Sequence, residues 1–123
     1  MSDKELLERF VKCAPKGWDA VLQKTCIGHE VAFVCDGIGC LLDITTPIAS
    51  GSAIMAMLEE CKRIYSDCNC EKMFSIGGTV EFQPLYQAFM LFRNEYDVMD
   101  VDAQTMTEYF CNIREAYIKW RRQ

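Results

Sequence analysis

The chain has one histidine, three prolines and no apolar run near the roughly 20 residues of a membrane-spanning helix. Each shortage narrows the function. Catalysis by a histidine that a third group orients has only His29 to draw on. His29 follows Gly28 at the start of an expected strand and reads as a strand-end residue. Cys26 and Cys35 are the thiols it could activate, and spacing selects neither. Positive charge is also short: 13 Lys and Arg against 18 Asp and Glu leave a formal charge of −5. That balance argues against a globally basic nucleic-acid binder. Phosphate-cradling loops are missing. Gly37-Ile38-Gly39 lacks the third glycine and the following helix of a dinucleotide fingerprint, and Ile76-Gly77-Gly78-Thr79 lacks a lysine. Ser50-Gly51-Ser52 is no nucleophile elbow and begins a helix instead. Paired carboxylates occur only at Glu59-Glu60, expected on a solvated helix face, and in an acidic stretch from Glu95 to Glu108. The opening residues Met1-Ser2-Asp3-Lys4-Glu5 are charged, so no secretory signal is expected.

What is present suits one globular domain spanning 1–123, with half of the residues apolar and a quarter charged. Cysteine is the abundant oddity, at eight residues. In an unsecreted chain these thiols are expected to be reduced, in the cytoplasm or nucleus, and buried as small hydrophobes. The close spacings are Cys68-x-Cys70 and Cys35-x4-Cys40, and Cys61, Cys68 and Cys70 form the densest group. A one-residue spacer makes simultaneous tetrahedral ligation awkward. A zinc or redox protein using those three cysteines is therefore an alternative reading, and no cofactor is otherwise implied.

The apolar pattern predicts the elements. Ser2 and Glu5 match a capping box, and Leu6, Leu7, Phe10 and Val11 share one helical face until Pro15 and Gly17. Trp18, Val21 and Leu22 resume helical spacing up to Gly28. Val31–Cys35 and Ile38–Ile44 flank Asp36-Gly37 and predict a hairpin, apolar on nearly every residue and so expected to be covered on both faces. Ile54, Met57, Leu58, Cys61, Ile64 and Tyr65 predict a helix, with Glu59 and Arg63 placed to pair on its outer face. Met73–Ile76 and Thr79–Phe82 about Gly77-Gly78 predict a second hairpin. Leu85–Arg93 reads as a third strand of that sheet or as a helix opened by Pro84, and its aromatics favour the strand. A last helix starts near Asp102 and carries Met106, Tyr109, Phe110, Ile113, Tyr117 and Trp120 on one stripe.

The fold class is thus α/β in the α+β sense: an antiparallel sheet flanked by helices, in the order α-β-β-α-β-β-(β)-α. The Val31–Ile44 hairpin, the Ile54–Tyr65 helix and the Met106–Trp120 helix resemble, by element order, the roadblock/longin-like family of small α/β modules. The leading helix suits roadblock, since longin-like domains usually start on a strand. That resemblance implies dimerisation and scaffolding, for example around small GTPases, vesicle trafficking or motors.

From the residues themselves, the surplus of apolar surface is the positive signal. Three helices and a doubly apolar sheet are much burial for so small a domain, and seven methionines suit adaptable contacts. The expected role is a non-enzymatic interaction module, a subunit or adaptor of a larger intracellular complex. It would dimerise, or bind a protein partner, through Phe82 at a strand edge and Tyr109, Tyr117 and Trp120 on the last helix. A further alternative is a small RNA-associated protein using the tail Lys119-Trp120-Arg121-Arg122. The competing explanation of those bases is a helix end matched to its dipole.

Overall fold

A computed structural model describes residues 2–25, 28–35, 37–45, 51–68, 87–88 and 102–121. Helix α1 (Asp3–Cys13) opens as its capping box requires: the Glu5 amide donates to Ser2 Oγ at 3.2 Å, and the Ser2 amide donates to Glu5 Oε2 at 3.4 Å. It buries Leu6, Leu7, Phe10 and Cys13. Pro15 then precedes one 3-10 turn, Lys16–Trp18.

The expected continuation of helix through Val21 and Leu22 is not what forms. Asp19 takes a left-handed conformation (φ 48°, ψ 47°) and ends the turn, and Val21–Thr25 is strand β1. Trp18, Val21 and Leu22 have helical spacing by coincidence. A β-branched residue just past a chain reversal suits a strand better. Gly28 does not close a helix but begins β2 (Gly28–Cys35), paired antiparallel with β1 from Thr25↔Gly28 to Val21↔Ala32.

Strand β3 (Ile38–Leu42) returns along β2 with Phe33↔Cys40 and Cys35↔Ile38 in register. Gly37 holds φ at +81° in the turn between them, a conformation that glycine adopts without steric cost. The described sheet is β1-β2-β3, all antiparallel. Helix α2 (Gly51–Cys68) packs against β3, and helix α3 (Ala103–Arg121) packs against both α1 and α2. Asp102 caps α3, its Oδ1 accepting from the Thr105 amide at 2.7 Å. The architecture is α+β, a sheet with helices on one side.

That one-sidedness corrects a second expectation. Val31, Phe33, Cys40 and Leu42 point inward and are buried, whereas Val34 and Leu41 point outward and stand 44% and 40% exposed. An unbroken apolar strand fits double coverage, but the described helices meet only one face of this sheet. The second hairpin, Phe82 and the acidic residues from Glu95 to Asp100 lie outside the described residues. Of Leu85–Arg93 only Gln87 and Ala88 are described; both are helical and Ala88 is buried, against the strand expected there.

Four aromatic rings from four segments occupy the centre. Trp18 stacks on Phe33 (centroids 5.0 Å, 15°) and on Phe110 (5.3 Å, 7°). Phe10 leans against Phe33 at 5.4 Å, Phe110 at 5.3 Å and Trp18 at 6.2 Å. Trp18 therefore bridges the sheet to α3, where a smaller side chain would leave a cavity. Trp18→Ala should cost about 3–5 kcal/mol in urea unfolding. A loss below about 1 kcal/mol would mean that the rings do not share one core.

Candidate functional site

Two features stand out from this scaffold: a buried polar network where α1, α2 and α3 meet, and the face of the sheet that no described helix covers.

The network centres on Arg114 of α3, which the helical pattern alone would assign to the basic end of that helix. Instead it is buried, 8% exposed. Its Nε donates to the carbonyl oxygen of Cys13 at 2.7 Å, satisfying one of the last carbonyls of α1. Its Nη1 lies 3.6 Å from Glu60 Oε1 of α2. Glu60 is buried at 9% exposure rather than solvated. It, and not Glu59, pairs with Arg63, whose Nε reaches its two carboxylate oxygens at 3.1 and 3.0 Å. The i,i+4 geometry allowed Glu59, but Glu60 lies on the side facing Arg114, and a buried carboxylate gains more from a second guanidinium than an exposed one does.

Tyr117 completes the cluster. Its hydroxyl donates to Asp67 Oδ2 at 2.6 Å, and its ring lies 5.7 to 6.0 Å from the guanidinium carbons of Arg114, Arg121 and Arg63. Burial, then the bond to Asp67, raises its phenol above the ordinary value. On the far side of α3, Arg9 of α1 donates to Glu115 at 2.6 Å and to Asn112 at 3.0 Å. No buried side-chain nitrogen or oxygen among the described residues lacks a hydrogen-bond partner.

Most thiols among the described residues are buried. Cys13, Cys40, Cys61 and Cys111 are buried. Cys61 is fully enclosed, and burial pushes its thiol up to about 12. A hydrogen bond to Cys13, then burial, raises Cys111. A raised thiol is a poor nucleophile and a reluctant metal ligand near neutrality. Cys68 is the last residue of α2, and Cys70 lies outside the described residues. Among the described residues no three His, Cys, Asp or Glu side chains gather as a metal-holding group; the Cys61, Cys68 and Cys70 grouping lies partly outside the described residues.

The contact residues expected on α3 divide. Tyr117 is 8% exposed and occupied internally, while Tyr109 and Trp120 are half-buried against the core, with Trp120 6.1 Å from the Tyr117 ring. The bases Lys119 and Arg121 sit in the last turn of α3, and Arg121 Nη2 lies 4.0 Å from Asp67 Oδ2.

The larger apolar display is elsewhere, and helical periodicity gave no hint of it. Val21 (57% exposed), Ala32 (half-buried) and Leu41 (40%) are cross-strand partners. They form one row over all three strands on the outward face, with Val34 (44%) one pleat away. The clue in the sequence is that Val34 and Leu41 alternate with residues that are themselves apolar.

The chain matches no protein-family model, no curated protein and no solved structure. Among the described residues no helix is long and apolar enough to cross a membrane.

Two outcomes follow from the network. Arg114→Met leaves Glu60 buried with one partner fewer and should lower stability by about 3–5 kcal/mol. Combined with Glu60→Met, the loss should be smaller than the sum of the single changes, and simple additivity would show that the two side chains are not coupled. The second outcome concerns pH. Cys61, Cys111 and Tyr117 hold their protons in the fold beyond the point at which the unfolded chain releases them, 9.0 for the thiols and 10.0 for the phenol. Their contribution is complete below those values and declines above them. The urea midpoint should therefore fall steadily from about pH 8 to about pH 11, whereas a level midpoint would contradict the burial of these groups.

Proposed function

We propose that the chain is a non-enzymatic protein–protein interaction module that dimerises through the outward face of its sheet. The observation that carries this reading is the exposed row Val21–Ala32–Leu41 with Val34 beside it. Four apolar positions in a contiguous patch on a flat surface favour association, whereas singly scattered ones would need no explanation. The other side of the same strands is filled by the helices, so contact through the outward side leaves the core undisturbed. A two-fold face-to-face arrangement sets the patch against its own copy, and apolar rows need no charge complementarity to match. Dimerisation through the sheet suits a subunit or adaptor within an intracellular assembly. The roadblock/longin-like resemblance read from the sequence implies the same roles, dimerisation and scaffolding.

Light scattering coupled to size exclusion at micromolar concentration tests the proposal. The expected species is a dimer. Leu41→Asp with Val34→Asp should convert it to a folded monomer, because carboxylates set across a symmetric contact repel and resist desolvation. A wild-type chain that runs as a monodisperse monomer would overturn the proposal.

A further inference from the structure

On the inner side of the sheet, away from the proposed contact face, a cleft of about 490 Å³ opens between the β2–β3 hairpin and the first turns of α2. Its walls hold three sulfur side chains: Cys35, Cys40 and Met55. The strand register explains why the cysteines meet there. Cys40 pairs with Phe33 and Cys35 with Ile38, so both thiols lie on one face as diagonal neighbours across the hairpin. Diagonal neighbours are separated by about 7 Å or less at Cβ, within reach of two side chains converging on one ion. Cys40 is 7% exposed, Cys35 is half-buried, and Met55 stands 55% exposed at the mouth. Gly51 and Ser52, the first residues of the 18-residue helix α2, line the same cleft.

We infer that this cleft binds a soft monovalent metal ion, Cu(I) being the biological case, through the thiolates of Cys35 and Cys40 with the Met55 thioether as a third donor. The donor set selects the ion. Thiolate and thioether sulfur favour Cu(I), whereas zinc wants four nitrogen, oxygen or thiolate ligands, and a thioether does not serve it. A d10 monovalent ion is satisfied by two thiolates, so the lack of a third His, Cys, Asp or Glu ligand among the described residues matches it. Binding replaces two S–H bonds with two S–Cu bonds and releases two protons. No electron is transferred, and the complex carries one negative charge. The N-terminal turn of α2, which carries the positive end of the helix dipole and no acidic residue, flanks the cleft through Gly51 and Ser52. Glu59, one turn beyond Met55, is the carboxylate on the rim and opposes it. Burial raises the Cys40 thiol, so the ion must compete with a proton there, which favours a strongly thiophilic metal over a hard one.

The test titrates fully reduced, full-length protein with Cu(I) under anaerobic conditions against a chromophoric Cu(I) chelator. The first equivalent should be retained by the protein and should protect Cys35 and Cys40 from alkylation, read by peptide mass spectrometry on the wild-type chain. Cys35→Ser with Cys40→Ser should abolish that equivalent, and Cys68→Ser with Cys70→Ser should keep it. Met55→Leu, at a position 55% exposed, should leave the fold in place and weaken binding about tenfold or more. Protection that falls on other cysteines, an unchanged affinity in Met55→Leu, or Zn(II) displacing Cu(I) would each overturn the assignment.

Discussion

One guanidinium ties the helices together. Arg114 leaves α3, hydrogen-bonds the last turn of α1 through the Cys13 carbonyl, and faces Glu60 of α2. These three elements are distant in sequence, and the apolar core alone would let them slide, since hydrophobic contact is non-directional. A buried, planar donor with fixed geometry removes that freedom. Burying it is costly unless its partners are in place, so helices out of register are penalised by a stranded charge. Arg9 with Glu115 and Tyr117 with Asp67 reinforce the same two helix pairs at the surface, where each bond contributes less.

Once the helices are locked to one another, they cover the described sheet on one side. Phe10, Trp18, Phe33 and Phe110 fill the space between that side and α3. The outward residues Val21, Val34 and Leu41 are left with the apolar character of core positions and the exposure of surface positions. The same allocation disposes of the cysteines. Cys13, Cys61 and Cys111 are buried in helix contacts, with the Cys61 and Cys111 thiols raised, whereas Cys35 and Cys40 lie beside an open cleft. The described cysteines therefore divide by the layer in which they fall.

Much of the fold was readable from local pattern. The capping box at Ser2 and Glu5, the hairpin about Asp36-Gly37 and the stripes of α2 and α3 all obey short-range rules and appear where those rules put them. Strand β1 was not, because Trp18, Val21 and Leu22 carry helical spacing and only the left-handed Asp19 and the pairing with β2 decide against it. Nor was the burial of Glu60 and Arg114. Charged residues on a helix default to solvent, and the exception arises from a contact over about fifty residues of sequence that periodicity cannot see. The candidate site was the least legible part. Aromatic residues on α3 drew attention to Tyr117, which is spent on an internal bond. The exposed row on the sheet needs the β1 register before Val21 can be set beside Ala32 and Leu41.

If Arg114 couples the helices as described, they open together or not at all. Native-state hydrogen exchange at increasing sub-denaturing urea measures this directly. The amides at the C-terminal turn of α1, in the middle of α2 and around Arg114 should merge into one exchange isotherm at the free energy of global unfolding. An α1 that exchanges through its own opening, well below that free energy, would show that the core holds the helices without the guanidinium, and the central constraint would fall.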